Sequence, residues 1–100
     1  MAKIWITEFV DVGMRGSSIP VMPIAKMDGS ATQVVTFSST TQSAALAADT
    51  RFVRVVSDAD CHIAAGSSPT ATTSDLKLTA GSAEYFGVTP GHKVAVVAAA

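Results

Sequence analysis

The sequence predicts an all-β fold: a small antiparallel β-sandwich or barrel, jelly-roll-like, with an extended N-terminal arm or loop. Three observations lead there. Short runs rich in Val, Ile, Thr and aromatic residues recur along the chain, the composition that suits a pleated, half-buried surface. Gly, Pro, Asp and Ser clusters punctuate those runs at roughly regular spacing, as turns between short strands require. Only Ala44 to Ala48 has high helix propensity, and five residues cannot hold a helix in water. One hundred residues make a single domain, 1–100, near the commonest domain size.

The first strand is expected over Lys3 to Phe9, which contains neither Gly nor Pro. Val10 to Ile19 holds Gly13, Gly16, Ser17 and Ser18 and reads as an exposed loop. Pro20 and Pro23 flank Val21 and Met22. Proline donates no ladder hydrogen bond, so Val21 to Ala25 should be an edge strand or arm, within a 10–26 extended segment. Asp28-Gly29-Ser30 turns into a strand over Gln33 to Phe37, and polar Ser38 to Ser43 connects onward to an irregular Ala44 to Ala48 crossover. The most regular strand-turn region is 51–99. There Arg51 to Ser57, an Asp58-Ala59-Asp60 turn and Cys61 to Ala65 read as a hairpin. Val53 and Val55 face one side of it, with Phe52 and Val56 on the other. After a small-residue loop, Gly66 to Ser74, Leu76 and Leu78 point inward, and Ala80-Gly81-Ser82 turns the chain again. Tyr85 and Phe86 fall on opposite faces of Ala83 to Val88, Pro90-Gly91 signals a type II turn, and a valine-rich strand over Lys93 to Ala98 closes the domain.

Composition narrows the function. Apolar residues make up 48% of the chain, but Ala and Val supply much of this and aromatic residues only 6%. The expected core is therefore thin, and association with other chains would add to it. Formal net charge is −1 with no long run of like sign, which argues against a phosphate-tracking surface and so against nucleic acid as partner. No apolar run is long enough to cross a bilayer as a helix and no signal peptide is evident. A soluble protein, assembled inside a cell and without a membrane partner, is expected. The single cysteine, Cys61, rules out an intramolecular disulfide.

Candidate chemistry is sparse. Cys61 and His62 are neighbours in a strand and point to opposite faces, so they cannot jointly hold an ion, and Cys61 reads as a small buried apolar residue. Asp58 and Asp60 lack the further oxygen donors of a calcium loop and read as turn formers that bond their own downstream backbone. Glu8 and Glu84 are isolated acids. Gly13 to Ser17 lacks a phosphate-binding fingerprint. No catalytic, cofactor-binding or metal-ligating residue is assigned, no cofactor is expected, and an enzyme is not the expected class. Trp5 and Phe9 share one face of the first strand with Lys3 and Thr7, while Ile4 and Ile6 occupy the other. If Ile4 and Ile6 point inward, Trp5 becomes an exposed anchor for a partner. Trp5, Phe9, Met14, Arg15, Val21 and Met22 are the candidate interface residues.

Several segments resemble small virion proteins of tailed bacteriophages encoded among head genes: the opening Ala2-Lys3-Ile4-Trp5-Ile6-Thr7-Glu8, then Arg51 to Val55, Asp58 to His62, Pro69 to Thr72, Leu78 to Gly81 and Glu84 to Val88. The resemblance spans both ends of the chain rather than Val10 to Ser43. It implies a capsid cement or decoration protein, made in the host bacterial cytoplasm and carried on the virion surface. Its partners would be the major capsid protein and itself, as a homodimer or homotrimer. A neck, tail or fibre-associated adaptor is the alternative within that class. A carbohydrate-binding sandwich is the alternative outside it, with one Trp and one Tyr to serve as sugar platforms.

Overall fold

The computed structural model describes residues 2–10, 12–14, 21–25 and 31–99, and for 12–14 and 21–25 the backbone alone. These residues form ten strands: β1 (Ala2–Phe9), β2 (Val12–Met14), β3 (Val21–Ala25), β4 (Ala31–Phe37), β5 (Thr41–Gln42), β6 (Phe52–Ser57), β7 (Cys61–Gly66), β8 (Leu76–Leu78), β9 (Ala83–Gly87) and β10 (Lys93–Ala98). One four-stranded sheet has the order β4-β1-β6-β9, the other β5-β10-β7-β8, and every neighbouring pair is antiparallel. β2 and β3 pair only with each other. Val12–Met14 thus forms a strand inside the stretch expected as a loop, and Pro23 sits in a strand with one ladder partner, as its missing N–H requires.

The two sheets enclose one core. Ile4 and Ile6 of β1, Phe37 of β4, and Val53 and Val55 of β6 meet Cys61 and Ile63 of β7, Leu78 of β8, and Val94 and Val96 of β10. Alternation along each strand explains the division: β6 buries residues 53, 55 and 57 and leaves 52, 54 and 56 half-buried on its other face. Burial of so many Val and Ile side chains, each contributing roughly 1.5–3 kcal/mol, holds the sheets together.

The sandwich is the architecture expected. The jelly-roll chain order is not the one seen, because β1 is internal to its sheet, between β4 and β6, whereas a jelly roll begins at a sheet edge. The expected hairpin over 51–65 is also corrected. β6 pairs with β1 and β9, and β7 with β10 and β8, so the 58–60 turn carries the chain from one sheet to the other. An arch lets Val53 and Val55 face Cys61 and Ile63 across the core, where a hairpin would set all four side by side in one sheet. Asp58 and Asp60 accordingly do not tighten a hairpin. Asp58 Oδ1 accepts the Lys3 N–H at 2.8 Å and Asp60 Oδ1 the Ala80 N–H at 2.9 Å, tying the arch to β1 and to the β8–β9 turn. Leu76 faces the same way as its partner Ile63, yet it remains 48% exposed at the rim of the sandwich. The two glycine turns behave as read. Gly81 (φ 79°) and Gly91 (φ 81°) take the third position of turns closed by Ser82 N–H to Thr79 O and His92 N–H to Thr89 O, the left-handed position that type II turns reserve for glycine.

Glu8 is not an isolated acid. It lies on the inward face at the end of β1, accepting the Ala47 N–H at 2.8 Å, the Thr50 hydroxyl at 2.7 Å and the Gln33 amide at 3.1 Å. Gln33 also binds both backbone groups of Ala44. The carboxylate thereby pins the helix-free 43–50 crossover, whose Leu46 fills the core. Burial pushes the Glu8 carboxyl up, and the three donors more than offset this, so its pKa lies below the ordinary carboxylate value.

Two outcomes follow from this geometry. Because the folded pKa of Glu8 is depressed, its contribution is full above the unfolded value of about 4.3 and disappears as pH falls through the folded value. Urea midpoints measured from pH 7 to pH 3 should fall less steeply for Glu8→Gln than for the native chain, and Glu8→Ala should cost roughly 2–3 kcal/mol at neutral pH. Secondly, Ala2 pairs with Phe37 and the Ala98 N–H bonds Ser38 O at 3.2 Å, so both ends of the chain meet beside Phe37 and Ser38. A circular permutant running 31–100, a short linker, then 1–30 carries β1 to follow β10 in jelly-roll order. It should unfold cooperatively with the native circular dichroism spectrum, and loss of cooperativity would refute the juxtaposition.

Candidate interaction surface

The parity of β1 that buries Ile4 and Ile6 turns Lys3, Trp5, Thr7 and Phe9 to the outer face of the first sheet. Cross-strand register extends this face. Trp5 is flanked by Val34 and Val56, Thr7 by Thr32 and Arg54, and Arg54 in turn by Tyr85. Trp5 is 36% exposed, Val34 53% and Tyr85 55%. At one end Phe9 stacks on Phe52 with ring centroids 5.1 Å apart, and Tyr85 tilts against both at 6.5 Å. Offset aromatic packing of this kind gives a rigid platform. Thr7 and Thr32 hydroxyls share a hydrogen bond of 3.0 Å at its centre.

The outer face of the second sheet is built differently. It carries small residues, Ala64 beside Ala95, and Ala95 is fully buried. The 67–74 loop is fastened to this sheet's edge: Gln42 Nε2 donates to Pro69 O at 2.8 Å and the Ala71 N–H to Thr40 Oγ1 at 3.1 Å, leaving Ala71 buried. The second sheet thus carries the chain's own loop at its β5 edge, whereas the first presents large exposed side chains.

The sequence-derived candidates distribute unevenly over this surface. Trp5 lies at its centre, and Phe9 lies on the same face but is buried under its aromatic neighbours. Met14 belongs to β2, Val21 and Met22 belong to β3, and Arg15 falls outside the described residues. Val34, Val56 and Tyr85 were not among the interface candidates, although Val56 was read on an apolar strand face and Tyr85 as a sugar platform. Only the pairing of β4, β6 and β9 around β1 brings them beside Trp5.

Elsewhere the chemistry is structural. Cys61 is fully buried, and burial raises its thiol pKa further than the Ser57 hydrogen bond lowers it, while nearby Asp60 raises it too. That environment disfavours the reactive thiolate. His62 Nδ1 lies 2.9 Å from Asp75 O. Among the described residues no three His, Cys, Asp or Glu side chains group as metal ligands, and no helix is long and apolar enough to cross a membrane. An apolar cleft of about 220 Å³ opens where the β8 and β9 edges diverge, lined by Val55, Ile63, Leu76, Phe86, Val88 and Val94 among others. Its lining side chains are all apolar, so any polar contact within it comes from backbone groups. No protein-family model, curated protein or solved structure matches the chain.

The inside-outside assignment has a direct check. Ile6→Ala should cost roughly 2–5 kcal/mol by leaving a core cavity, whereas Val34→Thr and Tyr85→Ser should each stay within about 1 kcal/mol. Chemical denaturation of the three variants reads this, and comparable losses in all of them would overturn the assignment.

Proposed function

We propose that this chain is a structural protein of a tailed-bacteriophage virion, a capsid cement or decoration protein that binds the outer surface of the major capsid protein shell and stabilises it. The observation that carries the reading is the open face of the first sheet. Trp5, Val34 and Tyr85 stand exposed together on a rigid, paired scaffold. Cementing needs contact area spread over a surface rather than a deep polar pocket, and aromatic anchors on rigid strands supply it at low entropic cost. The resemblance of the Ala2 to Glu8 and Arg51 to Val88 segments to phage head proteins supports the same class. The self-paired β2–β3 hairpin adds an arm that could lie across a neighbouring subunit through backbone hydrogen bonds.

A glycan-binding module is the second reading, favoured by the placement of Trp5 and Tyr85 on one sheet face. Glycan arrays read by Trp5 fluorescence separate the two, since Trp5 is the only tryptophan.

Quantitative mass spectrometry of intact particles should find this chain in copy numbers comparable to the capsid protein; a neck or tail adaptor would be present in far fewer. Trp5→Ala should weaken attachment to heads lacking the native protein by about 30-fold, the loss of one interface anchor worth about 2 kcal/mol. Deleting Val10 to Ser18 should also reduce occupancy while leaving the sandwich folded. Full occupancy by both variants would refute this placement of the interface.

A further inference from the structure

The open face has a charge pattern as well as an apolar one. Along β1 the outward residues run Lys3, Trp5, Thr7, and the Thr7 position is flanked by Arg54. Lys3 therefore stands one step to one side of the Val34–Trp5–Val56 row, and Arg54 one step to the other. At about 3.4 Å per residue, the two cations bracket the row about 14 Å apart along the strand direction. No acid occupies an outward position on β1, β4, β6 or β9. Glu8 and Glu84 both alternate to the inward side, Glu8 beside buried Val53 and Glu84 beside buried Val55. Asp58 in the arch accepts the Lys3 backbone N–H, a neutral donor that leaves its negative charge at the end of the face. Among the described residues, the charged side chains at outward positions on the strands of this sheet, Lys3 and Arg54, are both positive.

We propose that this face takes a protein surface of complementary chemistry: an apolar centre that seats against Trp5, Val34 and Val56, bordered by Asp or Glu carboxylates that meet Lys3 and Arg54. The assignment rests on reading the face as an interface and deepens it by naming the partner's chemistry. A guanidinium beside a partly buried apolar row is suited to bidentate carboxylate recognition. A second copy fits poorly, because a two-fold contact sets this patch against itself and supplies cations with no carboxylates. Nucleic acid fits poorly as well, because two cations neutralise too few phosphates to hold a strand on an otherwise acidic chain.

Trp5 is the sole tryptophan and reports the face directly. The full chain is titrated with a random Glu/Tyr copolymer, a Lys/Tyr copolymer and oligodeoxythymidylate, following tryptophan emission under excitation that spares tyrosine. The Glu/Tyr copolymer should give a saturable emission change at concentrations about tenfold lower than the Lys/Tyr copolymer, an advantage that shrinks as salt screens the charges. The Lys3→Glu/Arg54→Glu variant, verified as folded by circular dichroism, should reverse that preference. A face that responds equally to both copolymers, keeps its preference after charge reversal, or responds most strongly to the oligonucleotide would overturn the proposal. Copolymer preference that holds while the protein fails to occupy phage heads would refute the virion reading and sustain this one. Occupancy of heads without the preference would do the opposite.

Discussion

The register of β1 is the constraint on which the rest of the molecule depends. This strand has a partner on each side, β4 and β6, so a slip by one residue would move Ile4 and Ile6 out of the core and put Trp5 into it. Glu8 works against such a slip. Its carboxylate is held at once by the crossover, through Ala47 and Thr50, and by the neighbouring strand, through Gln33. Slippage would turn Glu8 outward with Ile4 and Ile6 and leave the Ala47 N–H, the Thr50 hydroxyl and the Gln33 amide without their acceptor, a larger penalty than the misplacement of any one methyl group in this core. Specificity of register, more than bulk hydrophobicity, is what this carboxylate contributes.

A thin core built from Val and Ile with one Phe and two Leu side chains needs its edges fastened, and the fastenings are polar. Asp58 ties the arch to β1, Asp60 ties it to the β8–β9 turn, and Ser43 binds Val94 in both directions, its N–H donating to the Val94 carbonyl and its hydroxyl oxygen accepting the Val94 N–H. Each joins segments far apart in sequence. Among the described residues no buried side-chain nitrogen or oxygen lacks a hydrogen-bond partner, the condition under which buried polar groups specify a structure instead of weakening it.

The two outer faces show how the same strand grammar yields opposite surfaces. On the second sheet the paired Ala64 and Ala95 are small, and Ala95 is fully buried. On the first, Trp5, Val34 and Tyr85 are large and exposed. Val56 and Phe52 reveal this in part at the sequence level, since a strand apolar on both sides needs either a second layer or a partner. Which strand would receive the partner could not be read there, because exposure belongs to a position in a sheet and not to a residue type.

The strands other than β2 and β5, the turns at Gly81 and Gly91, the alternate faces of Tyr85 and Phe86, and the pairing of Trp5 with Phe9 on one side of β1 were legible in the sequence, because each depends on residues within a few positions of one another; β2 and β5 lie in stretches read as loop and connection. The arch at 58–60, the three donors on Glu8, the exposure of Leu76 and the Val34–Trp5–Val56 row were not. Turn chemistry permits Asp58-Ala59-Asp60 to close a hairpin or to cross between sheets, and only the partners available to β6 and β7 select the crossing. Local steric and hydrogen-bonding preferences thus determined the strands and their faces. Long-range pairing decided which faces were buried together and which one was left open with two cations and a tryptophan.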